Sequence, residues 1–101
     1  MMRATGLKNL SVSLKKMASY KIIISKKVRK DFRTIPKKDA EKILRMIYGL
    51  ANDPHPTQSK KLKGDELYRI RIGVYRVIYE IIDFQLIISV VKVGHRKNIY
   101  D

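Results

Sequence analysis

Apolar residues recur along this chain with two periods, and the change of period divides it. Ala40, Ile43, Leu44, Ile47, Leu50 and Ala51 follow the i, i+3, i+4, i+7 spacing of a helical stripe that packs on a sheet. Ahead of them Val28, Phe32 and Ile35 step by four and then three along a shorter helix. Ser25 is placed to cap that helix, Pro36 ends it, and Thr34 is expected to act as a local cap at the break. From Leu67 the period drops to two. LYRIRI, YRVIYEII and LIISVVKV predict strands over residues 67–72, 75–82 and 86–93, reversing at Gly73-Val74 and at Asp83-Phe84-Gln85. The β-branched run YKIIIS at 20–25 reads as one more strand, which must join the same sheet to satisfy its backbone. Asn52-Asp53-Pro54-His55-Pro56 stops the second helix, and residues 60–64 read as a basic linker ending in a turn glycine. The order β-α-α-β-β-β predicts an α+β fold of two layers: a helical hairpin on one face of a sheet with a three-stranded antiparallel meander. The opposite face is left free.

At 101 residues there is room for one small domain, which buries about two-thirds of its unfolded surface. Charge changes the picture more than size. Lys and Arg number 23 against 9 Asp and Glu, a net +14, and no acidic residue precedes Asp31. A field of that sign attracts polyanions, with nucleic acid the first candidate, an anionic membrane surface the second and an acidic protein the third. The absence of cysteine excludes disulfides and thiolate metal sites. No apolar run approaches the roughly 20 residues of a membrane-spanning helix, and the N-terminal residues lack the apolar core of a signal peptide, so a cytoplasmic protein is expected. Residues 1–16, with Leu7, Leu10 and Leu14 among scattered cations, are expected to be a poorly ordered basic extension ahead of a domain at 17–101.

The cations extend into the meander. Tyr68, Ile70 and Ile72 share one face of their strand, and Arg69 and Arg71 share the other; Arg76 follows in the next strand, and His95, Arg96 and Tyr100 close the series. Guanidinium groups bind phosphate bidentately, stay charged and stack on unpaired bases, so Arg69, Arg71 and Arg76 on an open face suit RNA. Pairing with Glu80, Asp65 and Asp83 is the plainer alternative, but acids are too few to pair throughout. On the residues alone, His95 is either a general acid or base or a partly exposed hydrogen-bonding histidine. Tyr100 either stacks on a base or donates its phenol to a phosphate, or else pins the C-terminus to the core. Paired carboxylates, a serine triad, a Gly-rich phosphate loop and a metal cluster are all missing, so no metal or cofactor is expected. The one enzyme chemistry this inventory supports is metal-free RNA cleavage by attack of a ribose 2′-OH on the adjacent phosphate.

KLKGDELYRIRIGVYRVIYEI followed by VVKVGHRKNIY resembles the RelE branch of the RelE/ParE superfamily of toxin–antitoxin toxins, from about Met17 to Asp101. The K-L-x-G, Y-R-x-x-Y and V-G-H-R-x-x-x-Y blocks carry the resemblance. It implies a ribosome-dependent endoribonuclease that cuts mRNA in the A site, neutralised by an acidic RelB-like antitoxin, with operator DNA bound only through the complex of the two. It implies that Arg76 clamps the scissile phosphate, that Arg96 is a second charge stabiliser, and that Arg69 and Arg71 bind RNA where relatives carry lysines. Lys61 and Lys63 of the first block are grouped with them as RNA-binding. Tyr100 corresponds to a stacking tyrosine at a shorter spacing, and His95 replaces a lysine. Two rival readings remain: a ParE-like toxin acting on DNA gyrase, and a non-catalytic basic nucleic-acid-binding module.

Overall fold

Lys21–Ile24 is a four-residue run with three isoleucines, and as β1 it forms one edge of the sheet. The computed structural model describes residues 19–62, 66–95 and 97, so the expectation of a poorly ordered 1–16 extension lies outside the described residues. Helix α1 spans Lys26–Phe32, and the Val28 N–H donates to Ser25 Oγ at 3.2 Å, the cap that the sequence predicts. Its first turn holds no acid, so Lys26 and Lys27 oppose the helix dipole there. Helix α2 spans Lys37–Gly49, with Pro36 at its N-cap and no side-chain cap bond. Thr34 does not cap this helix: its hydroxyl donates back to the Asp31 carbonyl at 2.8 Å, closing the end of α1 instead.

Among the described residues five strands make one sheet in the order β1-β5-β4-β3-β2, with β2 at Ser59–Lys61, β3 at Leu67–Ile72, β4 at Tyr75–Ile82 and β5 at Ile87–His95. β1 pairs with β5 in parallel, and the other pairings are antiparallel. The expected meander is present, and so is the turn at Gly73, whose φ of 61° is the left-handed conformation that glycine adopts without strain. Two features depart from the expectation. The start of the basic linker is an edge strand, β2, because its backbone groups pair with β3, and polar residues tolerate such an edge. The last strand begins one residue late, because Leu86 adopts φ 54° after a short 3-10 turn at Asp83–Gln85. It also runs on through His95.

The core lies between the two helices and the sheet. Val28, Ile43, Ile47 and Leu50 from the helical side meet Ile70, Val77, Tyr79, Ile88 and Val90 from the strands, all 1% exposed or less. Tyr79 brings a polar end into this layer. Its hydroxyl donates to the Pro54 carbonyl at 2.9 Å, and its ring stacks on Tyr68 at 5.8 Å, which in turn meets the edge of His55 at 5.0 Å. This aromatic series ties the proline loop to β3 and β4.

Ile47→Ala should lower the unfolding free energy by about 2–5 kcal/mol in chemical denaturation, because a fully buried branched side chain leaves a cavity. Desolvation pushes the Tyr79 phenol up to about 12 from its ordinary 10. The folded state therefore favours the protonated phenol: its contribution is complete below pH 10 and is lost as pH rises through 12. Tyr20, whose hydroxyl meets Asp83 Oδ1, is likewise raised to about 12, chiefly by that hydrogen bond, and acts in the same window. Stability measured by denaturant should fall across that interval, and Tyr79→Phe should flatten part of the fall.

Candidate nucleic-acid interface

The pairing register decides which side chains share a face, because directly opposed residues point to the same side of a sheet. Arg69 lies opposite Ile78, and Arg71 lies directly opposite Arg76. Lys60 of β2 lies opposite Arg69, Lys92 of β5 opposite Ile78, and Gly94 opposite Arg76. Two rows cross the sheet on the side away from the helices: Lys60–Arg69–Ile78–Lys92, and Arg71–Arg76–Gly94. Glu80, opposite Leu67 and Ser89, is a carboxylate on the same side.

This face is less bare than the sequence suggests. Lys60, Arg71 and Lys92 are exposed, whereas Arg69 and Arg76 retain only 6% and 9% of their surface and Ile78 retains 5%. The middle of the cationic face is therefore buried and its margin open. Placing Arg71 and Arg76 directly opposite each other costs about 0.2–1 kcal/mol of like-charge repulsion. A neutral pair would avoid that cost.

The expected site residues separate into three groups. Arg69, Arg71 and Arg76 share one face, as the pleat predicts. Lys61 does not join them: it lies opposite Tyr68, on the other side, with Nζ 3.9 Å from Glu66 Oε1 in a largely exposed pair of little energetic weight. His95 also lies on the helix-facing side, opposite Tyr75, with the two rings 5.9 Å apart. Lys63, Arg96 and Tyr100 lie outside the described residues.

Two cations of this face were missed, and the reason is local. By its sequence Lys60 belongs to a basic linker, whereas β2 brings it beside Arg69. Lys92 follows Ile88 and Val90 at two-residue steps and so counts inward with them by simple alternation. A β-bulge shifts the register, so that Ile78 meets Lys92 while Tyr79 meets Val90, and the unpaired Val91 reverses the parity. Lys92 therefore turns outward. The same reversal carries His95 to the helix side. Chemically, guanidinium and ammonium groups on this face suit the binding and neutralisation of phosphates.

The fold and this arginine-bearing face are those of a small basic α+β domain. The sequence profile of the ParE toxin of type II toxin–antitoxin systems matches residues 22–100. A curated relative from Methanocaldococcus jannaschii, which carries the name toxin RelE1, is 35% identical over 85 residues, covering 80% of this chain and 94% of the relative. The RelE–RelB complex of Pyrococcus horikoshii contains a chain of 31% identity that superposes with a TM-score of 0.72, over 80% of this chain and 99% of that one. A chain of the RelBE2 complex of Mycobacterium tuberculosis shares the fold, with a TM-score of 0.70 at 24% identity, over 81% and 97% of the two chains. The chain belongs to the RelE/ParE superfamily and is a RelE-like toxin of the toxin–antitoxin class.

Affinity for a short single-stranded RNA, followed by fluorescence anisotropy against salt, tests the face. Each phosphate-contacting cation contributes about 0.7 to the logarithmic salt slope. Lys60→Ala and Lys92→Ala should each lower the slope by about that amount. Lys61→Ala, on the opposite side, should leave it unchanged.

Proposed function

We propose that this toxin is a ribosome-dependent endoribonuclease that cuts mRNA in the A site and arrests translation. The observation that supports the reading best is the Arg71–Arg76 pair, held face to face by the β3–β4 register beside the sunken Arg69. Two guanidinium-bearing residues on directly opposed positions of neighbouring strands are placed to share one phosphate. In the proposed reaction the ribose 2′-OH gives up its proton as its oxygen bonds to the adjacent phosphorus, and the bond to the 5′-oxygen breaks as that oxygen takes up a proton, leaving a 2′,3′-cyclic phosphate and a 5′-hydroxyl. Arg76 clamps the scissile phosphate and stabilises the charge that builds on its oxygens, while Arg69 and Arg71 hold the flanking backbone. Arg96 supplies a second positive charge, and the Tyr100 phenol stacks on a base and moves a proton.

The proposal extends to partners. The named relatives of known structure are complexes of RelE with RelB, and a net charge of +14 favours an acidic chain folding over the toxin. A RelB-like antitoxin would cover the cationic face, and operator DNA would be bound only by the complex of the two. Among the described residues no helix is long and apolar enough to cross a membrane, in keeping with action on cytoplasmic ribosomes.

A second reading, inhibition of DNA gyrase, is favoured by the match to a profile named for ParE. Mapping the 5′ ends of cellular RNA after induction separates the two. Cuts inside codons of translated messages support the nuclease, and intact messages with gyrase-dependent DNA breaks support the alternative. Arg76→Ala should abolish growth arrest and lower cleavage on programmed ribosomes by about 10²–10³-fold with an unchanged fold. An unimpaired variant would remove Arg76 from the site.

A further inference from the structure

His95 ends β5 on the side of the sheet opposite the arginines, and its surroundings there are specific. Its ring meets the Tyr75 ring edge-on, centroids 5.9 Å apart and planes at 68°. The Tyr75 hydroxyl donates to Asp39 Oδ2 at 3.3 Å, and Asp39 stands in the first turn of α2. On its other side the Lys97 backbone N–H donates to His95 Nδ1 at 3.2 Å. A ring nitrogen that accepts an N–H cannot also donate, so this bond commits Nδ1 as an acceptor. A continuous set of contacts therefore runs from Asp39 through Tyr75 and His95 to Lys97, and Arg96 is the residue between the last two.

We propose that His95 is a positioning residue and transfers no proton: its Nδ1 and its ring flank secure the backbone on either side of Arg96. The inference rests on the nuclease reading for its activity readout only. The geometry is that of a tie. The acceptor nitrogen is committed to main chain, one ring edge is committed to Tyr75, and the register separates the imidazole from Arg76 across the sheet. Asp39 and Lys42 of α2 and Tyr75 of β4 line a cleft of about 240 Å³ on this side, and the exposed Lys97 lies two residues beyond His95. Desolvation first, and then the Asp39 charge and hydrogen bond, raise the Tyr75 phenol above its ordinary value, so it stays protonated and donating at neutral pH.

Isosteres distinguish a tie from an acid or base. The Asn side-chain oxygen overlays Nδ1 and can accept the Lys97 N–H, but it cannot carry a proton; the Gln carbonyl reaches toward Nε2 instead. His95→Asn should keep ribosome-dependent cleavage within about threefold, keep the shape of its pH profile, and keep the Lys97 amide protected from hydrogen exchange by NMR. His95→Gln and His95→Ala should lose about tenfold or more of the cleavage rate together with that protection. The proposal is overturned if His95→Asn loses activity or one limb of the pH profile while its Lys97 amide stays protected. It is equally overturned if Asn and Gln leave that amide alike. The exchange measurement needs no substrate, so it decides the tie even if the wild-type chain cuts no RNA, an outcome that would instead sink the nuclease reading. Tyr75→Phe, which keeps the ring but frees it from Asp39, should weaken Lys97 protection with little change in melting temperature; no change in protection would remove Tyr75 from the tie.

Discussion

Cross-strand register between β3, β4 and β5 is the constraint on which the rest of this molecule depends. It is held on one side by the isoleucine and valine layer pressed against α1 and α2, where a one-residue slip would turn every core side chain into water. Hydrophobic burial on that side thereby enforces a juxtaposition on the other that electrostatics alone would disperse. Arg71 and Arg76 stay opposed because Ile70 and Val77, their chain neighbours, are paired and buried. The apolar layer thus fixes two like-charged residues at directly opposed positions.

A single irregularity adjusts this arrangement. The bulge in the pairing of β4 with β5 inverts the parity of the last strand, bringing Lys92 to the cationic side and sending His95 to the helices. One inserted residue thus adds Lys92 to the cationic face and turns His95, at the strand's end, to the helix side. Bulges beside functional sites commonly re-aim side chains in this way. Here the re-aimed histidine leaves the cationic face and joins a tie from α2 to the exit of the sheet.

The charge balance belongs to the same design. A chain of net +14 pays in self-repulsion for affinity to polyanions, and the helices carry much of the excess on their outer surfaces. Family membership fits this economy: the named solved relatives were determined with a second protein, RelB, bound to the toxin. Burial of Arg69 and Arg76 in the middle of the face, with Lys60, Arg71 and Lys92 open at its margin, grades the surface from a tight centre to a steering rim.

The α2 stripe, the Ser25 cap, the Gly73 reversal and the sharing of one face by Arg69, Arg71 and Arg76 were all legible in the sequence. Each follows from forces acting within a few residues: helical period, strand pleat, glycine's freedom at positive φ. Other features were not legible. The recruitment of residues 59–61 as a strand, Lys60 in place of Lys61 on the cationic face, the outward turn of Lys92 and the inward turn of His95 depend on which backbone groups pair across the sheet. Local residue patterns count along one chain, whereas pairing and bulges are settled by contacts between segments distant in sequence. The amino-acid order therefore determined the layers and the arginine platform, and tertiary structure alone decided its margin and the side on which the histidine lies.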